Sequence, residues 1–349
     1  MNTKQLAMIQ EDCARICVNP ERFSVLKNES ILITGGTGFM GSWLAESIAY
    51  LNDNHRFGIK LTLVARNMDR FRENQPHLAS RNDIFLLEKN VRDLIDIPED
   101  VSWIIHAAGT PDNRVHSSDP LDVINTIANG TMQVLDASTR LSNLKKIVNI
   151  SSGWIYGSQP KEMSHVPEWH IGGPNSTLTT SAYAEAKRMG ETICSVYKGQ
   201  FRIPMVTLRP FAFIGPYQMI DKPWAINNFI NDAINGGPIK ILGNENTIRS
   251  YLYPSDMANW ILTALCEGES GLVLNLGSSE GCSLREVADL ICHCIPGETV
   301  VISQTLNRKP KYSIFVPDVT KAREELGLEL SVSLHDAIQR TIEWLKLRQ

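Results

Sequence analysis

Along the chain, short apolar runs alternate with stretches where apolar residues recur every three or four positions. These are the periods of buried strands and of amphipathic helices. Ile31–Ile33 is the first such run, and Trp43, Leu44, Ile48 and Leu51 mark the helix after it. Further strands are predicted at 59–65, 84–87, 101–106, 146–150 and 205–208. A helix over about 121–141 precedes the fifth strand, and one from Ser181 through Val196 precedes the sixth. Such alternation predicts an α/β protein with a doubly wound parallel sheet. Past Arg209 the rhythm breaks into shorter elements, with a strand at 239–242 and helices at about 255–266, 284–294 and 334–347. The expected division is an N-terminal extension (1–29), a main domain (30–210 with about 250–277) and a smaller α+β lobe (about 211–249 and 278–349). In the extension, Leu6, Ile9, Cys13 and Ile16 mark a short helix expected to cover the surface.

Between the first strand and first helix stands Thr34-Gly35-Gly36-Thr37-Gly38-Phe39-Met40-Gly41. Gly36, Gly38 and Gly41 fit G-x-G-x-x-G, while Gly35, Gly38 and Gly41 fit G-x-x-G-x-x-G. Strand, glycine turn and helix together point to a dinucleotide pyrophosphate bound at a helix N-terminus. The glycines permit the turn, the approach of backbone N–H groups and the close packing of helix on strand. Phe39 and Met40 fall in the first helical turn beside that site.

Composition narrows the partners. The chain has 349 residues, 43% hydrophobic and 21% charged, with a formal net charge of −4. That balance gives no electrostatic case for nucleic acid or an anionic membrane. No apolar run approaches the ~20 residues of a membrane span, and no signal peptide is read at the start. Seven cysteines without metal-ligand or disulfide rhythm suggest free thiols and a cytoplasmic protein.

Three further stretches carry chemistry. Arg66, just after the second strand and with Arg70 four residues on, stands where an acidic residue would meet an NAD ribose. An arginine there can pair with a 2′-phosphate, so NADP is expected, with NAD the alternative. His106-Ala107-Ala108 ends the fourth strand with small residues that leave a cofactor room to cross. Tyr183 and Lys187 lie four residues apart on one helix face. The ammonium is expected to draw the phenol's pKa down, so that the pair can exchange a proton with a substrate oxygen. Ser152, at the end of the fifth strand, would hold that oxygen. His165 and His170 sit in a Pro-, Gly- and Ser-rich loop and are expected to be loop histidines without a catalytic part.

Together these residues resemble the extended short-chain dehydrogenase/reductase family, the NAD(P)-dependent epimerases and dehydratases of nucleotide sugars. The resemblance covers nearly everything from Ser30 onward. It rests on the glycine turn, His106-Ala107-Ala108, Ser151-Ser152 with Tyr156-Gly157, Tyr183 with Lys187, Arg209 with Gly215-Pro216, and Arg249-Ser250-Tyr251. It implies a Rossmann sheet with a C-terminal substrate-binding lobe, Tyr183 as acid/base, and Lys187 as tuner and ribose contact. Ser152 would bind the substrate oxygen, and Asn90 would stand near adenine, where many members have aspartate. Arg249 and Arg308 would hold the sugar nucleotide's diphosphate. The implied partners are a nucleotide sugar and a second copy of the chain, paired through the Tyr183 helix and the 121–141 helix. Dehydratases carry an acid just after the Ser/Thr, and the decarboxylating relatives a Glu. Here Gly153 and Trp154 occupy those places, which disfavours both reactions. The expected activity is C4 epimerisation of a nucleotide hexose, with an NADPH-dependent 4-ketoreductase as the alternative. A 4,6-dehydratase or a non-catalytic dinucleotide-binding protein ranks below both.

Overall fold

Seven parallel strands form the centre of the computed structural model, which describes residues 1–109, 112–295, 299–302 and 312–347. They are β1 (Ser30–Thr34), β2 (Lys60–Ala65), β3 (Ile84–Glu88), β4 (Trp103–His106), β5 (Lys146–Ile150), β6 (Met205–Pro210) and β7 (Val273–Leu276). Their order across the sheet is β7-β6-β5-β4-β1-β2-β3. This is the expected doubly wound Rossmann arrangement. The chain order reverses at β1, whose neighbours are β2 and β4, so a crevice opens beyond their carboxyl ends. Register brings Thr34, His106 and Asn149 to one level there.

The strands read as continuous apolar runs because helices cover both faces. Ile31 and Ile33 enter one core cluster with Trp43, Leu44 and Ile48 of α2 (Phe39–His55), while Leu32 enters another with Val134, Leu135 and Ile193. The latter residues come from Gly130–Ser138 and from Ala182–Phe201, which runs five residues beyond the expected end. Most strands differ from their expected limits by one or two residues. The helix ahead of β5 is interrupted by a π-turn at Asn125–Asn129.

The N-terminal segment is more than a surface cover. The helix Thr3–Ile16 starts at a capping box of Asn2 and Gln5 and buries Ile9, Cys13 and Ile16 in the α2-side core, and Phe23 and Leu26 follow them in. At about 1.5–3 kcal/mol for each large apolar side chain buried, this segment matters on the scale of a domain's whole net stability. Asp12 is fully buried there. It accepts from the Tyr253 hydroxyl at 2.8 Å and pairs with Arg340 of helix Leu334–Lys346 at 3.0 Å.

A separate apolar cluster gathers Phe229, Ile230, Val287, Ile291 and Ile338 from helices Ala225–Ile234, Leu284–Cys294 and Leu334–Lys346, with Ile239 of the strand Ile239–Ile241 and Ile214, which follows the strand Ala212–Phe213. Short strands lie around it, and Ile248–Arg249 pairs with both Cys282–Ser283 and Ile314–Phe315. All seven cysteines are free thiols. Among the described residues no helix is long and apolar enough to cross a membrane.

Candidate active site

The glycine turn is fixed by close approaches that no side chain would survive. Gly35 has φ +68°, and a Cβ on it would lie 2.7 Å from the Ala107 carbonyl oxygen at the end of β4. A Cβ on Gly41 would lie 2.3 Å from the Gly36 carbonyl oxygen, so the first turn of α2 rests on the loop. Gly38 is the N-cap of α2, and no side chain caps that end. The N–H groups of the first turn carry the helix's partial positive charge, and half-buried Phe39 and Met40 in that turn pack against the α2-side core. These features fit a dinucleotide pyrophosphate. A Cβ on Gly36 would likewise lie 2.9 Å from the Ile33 carbonyl oxygen, so the packing accommodates both glycine spacings.

His106 does something the sequence did not suggest. Its Nδ1 lies 2.7 Å from the Thr34 hydroxyl and its Nε2 3.0 Å from the Thr131 hydroxyl. Thr131 donates to the Ile127 carbonyl at 2.6 Å, so it must accept from Nε2–H. Thr34 accepts from the Ala108 N–H at 3.3 Å and is left to donate to Nδ1. The network thus assigns a neutral Nε2–H tautomer. Burial, with the nearby Lys187 charge, lowers its pKa from 6.5 to about 3. The imidazole ties β1 and β4 to the π-turn helix, so the expected cofactor contact of His106 cannot come from its ring. Ala107 and Ala108 follow His106, and the Ala107 carbonyl oxygen lies against Gly35.

Tyr183 and Lys187 lie on helix Ala182–Phe201 above β5. Lys187 is buried, donates to the Ile150 carbonyl at 2.7 Å, and reaches the end of β4 at Gly109. Burial draws its pKa from 10.5 to about 8. Ser152 is buried, and its hydroxyl accepts from the Trp154 N–H at 3.2 Å and lies within hydrogen-bonding reach of the Tyr183 phenol. The three expected residues therefore meet at the carboxyl end of β5. The phenol departs from expectation: burial raises its pKa, the Ser152 hydrogen bond opposes that, and Lys187 does not reverse it. In this state Tyr183 is a protonated acid. Next to it, the Ser151 hydroxyl is buried without a partner among the described residues.

The outlying residues divide. Arg66 is exposed and makes no ion pair among the described residues, so its guanidinium is available to a phosphate. The Asn90 side chain caps the turn Val91–Asp93 by accepting from the Arg92 N–H at 3.1 Å, which leaves only its amide N–H groups for a ligand. Arg249 is half-buried and, among the described residues, bonds the Ile248 and Ser313 carbonyls and the Ser313 hydroxyl. Burial lowers its pKa, and no described carboxylate pairs with it. Such a guanidinium suits an anionic ligand. Arg308 lies outside the described residues.

Sequence reasoning missed Thr34, Thr131 and His116. The imidazole of His116 is stacked on the Tyr183 ring, with centroids 4.2 Å apart and planes at 12°. No period or spacing signals a pair so far apart in sequence. His165 bonds the Ser164 hydroxyl and the Ser279 carbonyl, and His170 packs near Tyr156, away from the Tyr183 cluster.

Residues 31–277 match the model of the NAD dependent epimerase/dehydratase family. Among curated proteins, UDP-glucuronic acid decarboxylase 1 of Xenopus tropicalis is 26% identical over 318 residues, 90% of this chain and 72% of that protein. UDP-N-acetyl-alpha-D-glucosaminuronate decarboxylase of Bacillus cytotoxicus is 28% identical over 333 residues, 90% of this chain and 97% of that protein. Among solved structures, UDP-glucuronic acid 4-epimerase from Bacillus cereus with UDP-glucuronic acid and NAD superposes with a TM-score of 0.79. It is 24% identical, over 92% of this chain and 100% of that one. At that identity the likeness speaks for the fold.

The network around His106 makes a pH prediction. Its pKa is about 3 in the fold against an ordinary 6.5, so the folded state binds fewer protons in between. Stability from this group should be complete above pH 6.5 and fall as pH drops towards 3. Nitrogen-15 NMR of the histidines should show one ring held as the Nε2–H tautomer throughout the neutral range. A His106 signal titrating near the ordinary histidine value of 6.5 would refute the network.

Proposed function

The chain belongs to the NAD dependent epimerase/dehydratase family, and on that premise we propose that it inverts C4 of a nucleotide-linked hexose. The observation that carries this reading is the meeting of Ser152, Tyr183 and Lys187 at the end of β5 without an acid at 153 or 154. A nicotinamide dinucleotide, held at Gly35, Gly38, Gly41 and the α2 N-terminus, supplies the acceptor and donor of hydride when bound. Ser152 orients the C4 oxygen. Tyr183 must first release its phenol proton to solvent; as phenolate it then takes the proton of the C4 hydroxyl on oxidation and returns it to the keto oxygen on reduction. Lys187, with its pKa of about 8, is mostly charged at neutral pH and stabilises the phenolate stage. The substrate's diphosphate would meet Arg249, and Arg308 by extension, in the smaller lobe.

The decarboxylases among the relatives act on uronic acids by their names. For this chain elimination and decarboxylation are disfavoured, because Gly153 and Trp154 carry no acid and nearby carboxylates are engaged elsewhere. Glu191 is paired with Arg209 and Asp112 with Arg114 and Lys222, while Glu168 accepts from the Asn275 N–H. A second reading, NADPH-dependent reduction of a 4-keto-6-deoxy sugar nucleotide, is favoured by exposed Arg66 and by a phenol held in its protonated form.

With UDP-glucose, UDP-N-acetylglucosamine and UDP-glucuronic acid offered in turn, one should give its C4 epimer without net change in reduced-nicotinamide absorbance. Tyr183→Phe should lower that rate about a thousandfold. Release of carbon dioxide, or steady NADPH oxidation with a 4-keto substrate, would overturn the epimerase reading, and full turnover by Tyr183→Phe would overturn the mechanism.

We assign NADP as the preferred dinucleotide on the strength of Arg66. Calorimetry should find NADP binding weakened about tenfold by Arg66→Ala and NAD binding nearly unchanged. Equal affinity of the parent protein for both would refute the preference.

A homodimer is inferred from apolar side chains that lie exposed on two adjoining helical segments. Met189 and Val196 project from Ala182–Phe201, and Leu121, Ile124 and Met132 from 120–138 alongside it. Light scattering should give twice the chain mass, falling to one chain mass for Met189→Glu. A monomeric parent protein would contradict this.

A further inference from the structure

His116 lies outside the set of residues assigned above, yet it touches the central one. The ring of Tyr183 is seated among Val115, Val123, Ile127 and Ala186, and the buried imidazole of His116 stacks on it. Ile127 belongs to the π-turn, whose irregular backbone brings this side chain and the Thr131–His106 bonds to the same place. A flat stack at this separation restricts the tilt of the phenol. The phenolic oxygen sits at the far end of the ring, so a small tilt moves it most.

The helix that carries His116, Asn113–Ser118, is far too short to be stable alone, so tertiary contacts set its position. Its N-cap is Asp112, whose side chain is almost wholly buried. That carboxylate accepts from the Arg114 N–H at 3.0 Å, from the Arg114 guanidinium at 2.8 Å and from Lys222 Nζ at 2.8 Å. The Arg114 hydrogen bonds, then those of Lys222, hold its carboxyl well below the usual carboxylate range. Lys222 stands on the loop between Phe213 and Ala225, whose flanking residues Ile214 and Ile226 lie in the second apolar cluster. Contacts thus run unbroken from that loop through Lys222, Asp112 and the short helix to His116 and the Tyr183 ring.

We propose that His116 is a positioning residue for the Tyr183 phenol, and that the Lys222–Asp112 ion pair ties that position to the 214–224 loop of the smaller lobe. This rests on the reading of Tyr183 as acid/base only for its consequence in turnover. The placement itself can be measured without substrate. An oxygen misplaced by a fraction of an ångström costs rate rather than binding, so His116→Leu should lower kcat about tenfold with little change in KM. His116→Phe, which restores a flat ring, should recover most of that loss.

The decisive measurement is NMR of the full chain carrying carbon-13 at the tyrosine Cζ, with the Tyr183 line assigned by its disappearance in Tyr183→Phe. A single sharp line is expected for the parent protein and for His116→Phe. A broadened or divided line is expected for His116→Leu, and a partial effect for Lys222→Met. The chain has eight tyrosines, so the other seven lines report whether each variant is folded. His116→Asn replaces His116→Leu if the latter does not fold. An unchanged Tyr183 line in a folded His116→Leu or His116→Asn protein overturns the positioning role. A changed line there with none in Lys222→Met overturns the link to the loop. Turnover retained by Tyr183→Phe would remove the acid/base reading and leave the line shapes standing.

Discussion

The contact between Gly36 and Gly41 is the constraint on which the rest of the crevice depends. With a Cβ excluded at 2.3 Å from a carbonyl oxygen, the N-terminus of α2 can lie against the loop that leaves β1. That brings uncapped N–H groups to the point where the sheet order reverses. The same tightness forces the left-handed turn at Gly35, which in turn must clear the Ala107 carbonyl on the neighbouring strand. A helix end, a strand end and a turn therefore share a space with no room for side chains. What remains open is backbone, and it is polarised for an anion.

A crevice between diverging strands needs a tie, and the neutral His106 ring supplies one. Thr34 on β1, His106 on β4 and Thr131 on the covering helix form a chain in which every donor has one acceptor. A charged imidazole would break that chain and would add a second positive charge near buried Lys187, which already bears the cost of burial. One cation and one neutral ring are the combination this pocket can hold. Lys187 then keeps its ammonium between the ends of β4 and β5, anchored by the Ile150 carbonyl.

Much of this was legible in the sequence because it is written in local periods. Buried parallel strands are apolar runs, glycine turns announce themselves, and Tyr183 with Lys187 sit at a spacing that a helix brings to one face. Other features rest on partners far apart in the chain. Asp12 with Arg340 and Tyr253, Thr34 with Thr131, and His116 with Tyr183 have no spacing that a pattern could detect. The sign of the Tyr183 shift was missed for a related reason. Spacing gives proximity to a cation, whereas the phenol responds first to burial, which only packing reveals.

Packing beside Ser152 explains why the chain carries no acid at the next two positions. Any side chain at Gly153 would meet the Phe211 ring, 2.8 Å from its Cβ. Phe211 is stacked on Phe315, and Trp154 packs against Phe315 in turn. The two positions that could have presented a carboxylic acid are thus taken up by an aromatic cluster, and restoring an acid at 153 would require that cluster to move. On the proposed reading, proton transfer would rest on the Tyr183 phenol, with the Ser152 hydroxyl orienting the substrate oxygen. A lone acid/base of that kind can work on one oxygen in both directions. Expelling water from a neighbouring carbon needs a second acid, and the folding of Phe211 over Gly153 has closed its place.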